Sequence, residues 1–171
     1  LALRALLHFD MLRLFGPVYS KDSDKKAIPY YDKQTNTPED ILTAKQVAEH
    51  VVADLEEART LLANDPVRTE GARMNSSTDG SSNFLRYRAL RLNYYAVEAL
   101  LARVNLYIGN KTDAYKYAID VIRSSDNGVF PFVDKSLVTG SPADPDRIFS
   151  SEVIFALTNT SRGKLFTSFF D

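Results

Sequence analysis

The first apolar stripe along the chain lies at its beginning. Leu3, Leu7, Met11 and Leu14 recur at intervals of three or four residues, which places them on one face of a helix. Gly16 is followed by Pro17, which cannot continue a helix. The pattern therefore predicts a helix over residues 1–15.

A second helix is predicted over residues 43–63. Thr43 and Gln46 have the spacing of a capping box, in which each side chain bonds the backbone N–H of the other. The apolar positions that follow share one face, and they are Val47, Val51, Leu55, Ala58 and Leu62. Asp54 falls on the opposite face, where we expect it to be solvated.

The next two helices are predicted as an antiparallel pair over residues 87–108 and 111–124. The first is apolar on nearly every side, which indicates a helix packed between neighbours. Arg103 lies in this apolar helix, so we expect it to be buried beside a carboxylate or carbonyl. Gly109 and Asn110 leave so short a link that the two helices must run antiparallel.

The remaining segments carry weaker patterns. Residues 18–42 and 68–83 are predicted as an irregular connector and a surface loop. Residues 129–133 and 153–157 are short apolar runs that indicate extended segments, the second of them a strand or a buried extended segment, and residues 141–145 indicate a loop. The fold class is thus mainly α, with helical hairpins, long irregular connectors and a short extended C-terminal segment. Apolar residues crowd both ends, so we expect residues 1–171 to be one partial domain of a longer protein.

Composition removes several classes of function. The 171 residues are 44% hydrophobic and 25% charged, with a net charge of −1, so no basic excess indicates a nucleic-acid partner. The chain has no Cys and two His, and no metal-ligand cluster, phosphate-binding glycine loop or catalytic motif is recognisable. We therefore expect no enzyme activity, no metal and no cofactor.

The predicted helix pair is similar to a tetratricopeptide repeat. Gly109 follows Leu101 by eight residues, and Ala114 follows Gly109 by five, as in that repeat. Small residues recur at these positions because the helices approach each other most closely there.

Several spans also resemble the SusD/RagB family, and they occur in the family's order. Residues 99–107 are similar to its "ALLARVYLY" stretch, with Asn105 where the family often has Tyr. Residues 4–17 resemble its "RAxxxFxLxRLFG" helix, residues 28–30 the segment that follows, and residues 151–155 its "sEvIf" segment.

This resemblance implies a fold, a function and a location. The family consists of α-helical, surface-facing lipoproteins of the bacterial outer membrane that capture oligosaccharides for a TonB-dependent (SusC-like) transporter. The lipid anchor is expected upstream of Leu1, outside this chain. The helix pair alone fits a tetratricopeptide-type protein–protein interaction scaffold equally well, but such a scaffold repeats about every 34 residues. The connectors after Pro17 and Pro66 break that period.

Candidate ligand-binding residues are aromatic and polar side chains in the predicted connectors. Sugars bind aromatic rings through their C–H faces, and amides and carboxylates through their hydroxyls. For any one of these aromatics, packing against the helices is the alternative role. The candidates are Tyr19, Tyr30, Tyr31, Asn36, Asp79, Asn83, Phe84 and Tyr87.

Overall fold

The computed structural model describes residues 1–139 and 145–170. These residues are mainly helical, as the sequence predicts, with one antiparallel two-stranded sheet. The strands are β1 (Lys26–Pro29) and β2 (Ile41–Thr43). The helices in chain order are α1 (Ala2–Phe15), α2 (Tyr19–Asp22), α3 (Ala44–Leu61), α4 (Val67–Glu70), α5 (Tyr94–Ile108), α6 (Lys111–Asp126), α7 (Lys135–Thr139) and α8 (Arg162–Phe170).

Helices α1, α3 and α6 begin and end within two residues of the predicted bounds. Thr43 caps α3 through the predicted capping box: its Oγ1 accepts from the Gln46 N–H at 3.2 Å, and its own N–H donates to Gln46 Oε1 at 3.0 Å. At the end of α1, the Gly16 N–H donates to the Leu12 carbonyl at 2.8 Å.

The predicted start of the third long helix at residue 87 is wrong. Helix α5 begins at Tyr94 because Asn93 caps it, its side-chain oxygen accepting from the Ala96 N–H at 2.9 Å. Tyr87 has a φ of 53°, a left-handed conformation that no helix accommodates. A short 3₁₀ turn, Arg88–Leu90, occupies the interval instead.

Helices α5 and α6 form the predicted antiparallel hairpin. Gly109 takes a φ of 87° after the last turn of α5, and its N–H bonds back to the Leu106 carbonyl at 3.2 Å. The Asn110 N–H then bonds the Asn105 carbonyl at 2.9 Å, and the Asn110 side chain accepts from the Asp113 N–H to start α6. The chain therefore reverses within two residues.

The connector over residues 18–42 is more regular than predicted. It contains α2, β1 and most of β2, whose pairing joins Lys26 to Thr43 and Pro29 to Ile41. The strands are short and separated in sequence, so alternation alone did not reveal them. The sheet lies against α1 and α3.

In the C-terminal part, residues 129–133 and residues 153–157 lie outside any helix or strand. Of the two alternatives predicted for residues 153–157, the strand is therefore wrong and the buried extended segment remains. The second segment is partly buried and is tied to the turn before α5, where the Ala156 N–H donates to the Ala89 carbonyl at 2.8 Å. Helix α8 was not predicted. The predicted loop at residues 141–145 lies outside the described residues except for Pro145.

The core forms where α1, α3 and α5 meet. Four large side chains in it are almost fully buried: Phe9, Leu12, Leu55 and Leu101. Each contributes about 1.5–3 kcal/mol on burial. A second, smaller cluster holds Val67, Ala89, Tyr94 and Phe130. No helix of the described residues combines the length and apolarity needed to cross a membrane.

Two predicted charge environments are reversed. Asp54 is only 7% exposed, because Arg4 of α1 and Tyr30 after β1 close over it. Arg103 is exposed, and its guanidinium lies 5.8 Å from the Phe9 ring centre instead of beside a carboxylate.

Candidate functional site

A groove of about 330 Å³ opens between α2, α3 and the α5–α6 turn. Tyrosine rings, carboxylates and amides share its wall with small apolar side chains. The residues that line it are Tyr19, Ala48, Glu49, Val52, Ala53, Glu56, Asn105, Ile108, Asn110, Asp113 and Tyr117. We call it the Tyr19 groove.

The two tyrosines of the groove are held by different contacts. Tyr19 is half-buried and lies 5.3 Å from the Tyr107 ring, and burial together with the nearby Glu49 carboxylate raises the pKa of its hydroxyl. The Tyr117 hydroxyl donates to Glu56 Oε1, and burial first, then this bond, raises its pKa. Both phenols therefore remain neutral hydrogen-bonding groups at physiological pH.

The amides of the groove offer polar atoms beside these rings. Asn105 donates to the Leu101 carbonyl at 2.9 Å, and no described residue bonds its side-chain oxygen. Asn110 donates to Asp113 Oδ2 at 2.7 Å, which fixes both side chains at the start of α6. Glu49 is exposed. The groove thus presents an aromatic ring, carboxylate acceptors and an amide, the groups that bind hydroxyl-rich ligands.

Tyr30, a predicted ligand residue, lies inside a cluster with His8, His50, Arg4 and Asp54. It is 8% exposed, its hydroxyl donates to Asp54 Oδ2 at 2.6 Å, and its ring lies 4.1 Å from His8 and 4.9 Å from His50. Burial and the bond to Asp54 raise the pKa of Tyr30. This ring packs the sheet onto α1 and α3.

Tyr31 and Asn36 lie beyond this cluster. Tyr31 is 39% exposed, and its backbone N–H donates to His8 Nε2 at 3.1 Å. His8 Nδ1 in turn donates to the Arg4 carbonyl at 2.9 Å, so His8 is a hydrogen-bonded structural residue. Asn36 is exposed in the segment between the strands.

The other four predicted residues lie in the loop before α5. Asn83 Oδ1 accepts from the Ser77 N–H at 2.8 Å, and hydrogen bonds from Ser77 and Ser81 hold the pKa of Asp79 well below its usual value. The Tyr87 hydroxyl lies 2.7 Å from Ser76 Oγ. Phe84 is 67% exposed, with the Arg91 guanidinium 5.5 Å from its ring.

The structure does not bring the predicted residues into one site. Among the described residues, no hydrogen bond, ring contact or cavity joins the loop before α5 to Tyr19, Tyr30 or Tyr31. Of the eight predicted residues, only Tyr19 lines the Tyr19 groove. The sequence analysis missed its partners on α3, α5 and α6, and the one available signal was the Asn110–Asp113 cap spacing beside the Gly109 turn.

No metal centre is assembled by the described residues, which contain no group of three or more His, Asp or Glu side chains placed to hold an ion.

Comparison with known proteins gives a consistent result at the level of structure. No protein-family model matches the chain, and no curated protein matches it either. A solved SusD superfamily protein from Bacteroides thetaiotaomicron is 27% identical, with a TM-score of 0.59 over 77% of this chain and 25% of that one. A second SusD superfamily protein, from Bacteroides vulgatus, is 25% identical, with a TM-score of 0.59 over 86% of this chain and 31% of that one.

These matches define the class of fold: a helical assembly of the SusD superfamily type. The resemblance read from the sequence is therefore confirmed, and the chain is SusD-like. It spans about a quarter to a third of the length of the two solved proteins.

Proposed function

We propose that this chain is part of a lipid-anchored protein on the outer surface of a bacterial outer membrane, which binds an oligosaccharide and delivers it to a TonB-dependent transporter. The observation that carries the binding step is the Tyr19 groove on a SusD-like scaffold. The anchor, the transporter and the location follow from the resemblance to the SusD/RagB family.

The groove supports this proposal through the kind of groups it holds. Tyr19 offers a partly exposed ring to the C–H face of a sugar, and Glu49 offers a carboxylate to its hydroxyls. Asn105 lies on α5, a separate helix that is fixed by the core; it is only 3% exposed, and its side-chain oxygen accepts no hydrogen bond from a described residue. Because rigid elements position all three groups, a ligand need not order the site on binding.

The other predicted residues extend the proposal to the protein surface. Tyr31 and Phe84 have exposed rings, and Asn36, Asp79, Asn83 and Tyr87 are polar groups near them in the chain. We propose that such loop residues contact the outer units of a longer glycan, while Tyr30 serves packing.

Binding of a glycan panel to the full-length protein tests the proposal. In affinity electrophoresis or calorimetry, we expect Tyr19→Ala and Glu49→Gln to weaken binding of the best glycan about five- to tenfold each. Tyr115→Ala removes an exposed tyrosine of α6, and Glu57→Gln an exposed glutamate of α3, and neither should change the affinity.

Glycan binding also distinguishes the proposed function from the alternative, a tetratricopeptide-type protein–protein interaction scaffold. The α5–α6 hairpin with its Gly109 turn favours that alternative, whereas the connectors between α1, α3 and α5 depart from a repeat of about 34 residues. If no polysaccharide binds and the protein instead binds a peptide partner tightly, glycan capture is wrong.

A further inference from the structure

A second, more polar cavity lies where α4, the start of α5 and the end of α6 meet. Its volume is about 210 Å³. Unlike the Tyr19 groove, it contains arginine side chains. The residues that line it are Arg68, Tyr94, Tyr95, Asp120, Arg123, Ser124 and Asn127.

The cavity carries an excess of positive charge. Arg68 lies with its guanidinium 4.4 Å from the Tyr94 ring centre and donates to the Ala63 carbonyl. Within the described part of the chain, no carboxylate is within salt-bridge distance of Arg68. Arg123 faces Asp120 at 3.7 Å, and the two side chains are 68% and 37% exposed, so this pair is weak. Two guanidiniums therefore face one carboxylate.

Aromatic and neutral polar groups complete the wall. The Tyr95 ring is half-buried and is fixed by edge contacts with Tyr94 at 5.4 Å and Phe130 at 6.1 Å. Ser124 is buried and donates to the Val121 carbonyl at 2.6 Å, while Asn127 is exposed. A guanidinium over a tyrosine, beside a second ring and an amide, suits a sugar that bears a carboxylate.

Arg59 connects this cavity to the Tyr19 groove. Its guanidinium lies 5.8 Å from the Tyr94 ring centre and 5.7 Å from that of Tyr117, so one ring of each cavity contacts the same side chain. Arg59 is held there by its bond to the fully buried Glu98. The two cavities are therefore neighbours on a common rigid support.

We propose that the Arg68–Arg123 cavity binds the carboxylate of an acidic sugar, so that the ligand is an oligosaccharide containing hexuronic acid. This inference rests on the proposed function and specifies its substrate class. Arg68, which forms no salt bridge with a carboxylate of the described residues, supplies the guanidinium donors, and Arg123 adds a second positive charge.

Calorimetry with the full-length protein tests this on matched ligands. The probes are trisaccharides of galacturonic acid and of glucuronic acid, each with its methyl ester, which removes the charge and keeps the sugar. We expect at least one acid to bind about tenfold more tightly than its ester, and added NaCl to reduce that preference. Arg68→Gln should lose about tenfold for the acid and little for the ester.

Two further variants guard against an effect on folding. Arg13→Gln removes an exposed arginine of α1 and should bind like wild type. Asp120→Asn frees Arg123 from its carboxylate and should strengthen binding of the acid several-fold, the opposite of a loss of structure.

The outcomes separate this inference from the proposed function. If neither acid is preferred over its ester, or if Arg68→Gln behaves like Arg13→Gln, the acidic-sugar inference is wrong, while binding of a neutral glycan leaves the proposed function intact. If no glycan of any kind binds, both are wrong.

Discussion

Three carboxylates inside the protein, Asp54, Asp65 and Glu98, each accept hydrogen bonds from an arginine elsewhere in the chain. Arg4 of α1 bonds Asp54 through Nε and Nη2, both at 2.5 Å. Arg88 bonds Asp65, and Arg59 bonds Glu98. Each pair links segments that are distant in the chain, and removal of one partner leaves a buried charge without compensation.

The first prediction concerns Asp54→Asn, which keeps the shape of the side chain and removes its charge. Burial by itself raises the pKa of Asp54, but the hydrogen bonds from Arg4 and Tyr30 outweigh it and lower that pKa below the usual value. The variant should lower the free energy of unfolding in urea by about 2–3 kcal/mol at pH 7, because Arg4 and Tyr30 lose a charged acceptor.

The pH dependence gives a second readout for the same variant. A lowered pKa in the folded state means that the carboxylate stabilises the fold above about pH 4 and that this contribution is lost as the pH falls through the folded-state value. The difference between wild type and Asp54→Asn should therefore shrink on acidification. Asp10→Asn, in an exposed pair with Arg13 at 3.4 Å, should change stability by less than about 1 kcal/mol. An equal effect of the two variants would contradict the assigned role of Asp54.

At the residue scale, a local sequence pattern describes a residue's own element but not the distant segments that pack against it. Helical periodicity placed Asp54 on a solvated face because it describes α3 alone, whereas Arg4 and Tyr30 reach Asp54 from segments distant in sequence. Tyr19 was chosen as an aromatic residue in a connector, and it does line a groove. Its partners Asn105 and Asp113 depend on how three helices pack, which local patterns do not contain.

At the scale of single elements, chain reversals decide the fold as much as helix propensity does. The Gly109 turn lets α6 return along α5 within two residues. Its φ of 87° lies in the left-handed region, where a side chain with a Cβ is strained. No heavy atom lies within 4 Å of where that Cβ would be, so strain of the backbone, not a clash, makes glycine necessary.

Gly109→Ala should lower the free energy of unfolding by about 1 kcal/mol. The matched control is Gly163→Ala in α8, where no heavy atom lies within 4 Å of the added Cβ and φ is not positive. There the same change adds helix propensity and should not destabilise the protein. Thermal and urea unfolding of the two variants measure both effects, and a stabilising Gly109→Ala would show that the turn does not hold this conformation.

Capping signals explain which element boundaries the sequence predicted well. The Thr43 capping box located the start of α3, and Gly109 located the end of α5. The start of α5 was misplaced because apolar residues continue before Asn93. Its side-chain oxygen caps the helix at the Ala96 N–H, while its amide nitrogen donates to the Arg88 and Ile154 carbonyls, each at 2.8 Å. The bond to Ile154 joins residues 61 apart in the chain.

At the scale of the whole molecule, one face of α1 remains exposed. Leu3, Leu7, Met11 and Leu14 are 53%, 56%, 46% and 73% exposed, although they form the apolar stripe from which the helix was predicted. The core is instead formed by the adjacent face, with Ala5, Phe9 and Leu12. Periodicity predicted the helix correctly but could not choose between two apolar faces, because both fit the helical repeat.

Substitutions on the two faces of α1 should therefore have different consequences. The double variant Leu7→Gln, Leu14→Gln should keep the melting temperature of wild type and reduce the fluorescence of a dye that binds apolar surface. Leu12→Gln, at a position with no exposure, should unfold the protein or lower its stability by several kcal/mol, since it buries an amide without partners. Equal destabilisation by both changes would mean that the exposed stripe is packed after all.

The pairing of β1 with β2 has a consequence for how this protein can diversify. The two strands bring the ends of the intervening segment together, so its closure does not depend on its own sequence. In a closed loop, each doubling of length costs only about 0.6 kcal/mol. Residues 33–40, which include Asn36, lie mostly in solvent beyond the Tyr30 cluster. We therefore expect natural variants to accept insertions there more readily than anywhere between Thr43 and Leu61, and so to acquire new ligand contacts without changing the helical core.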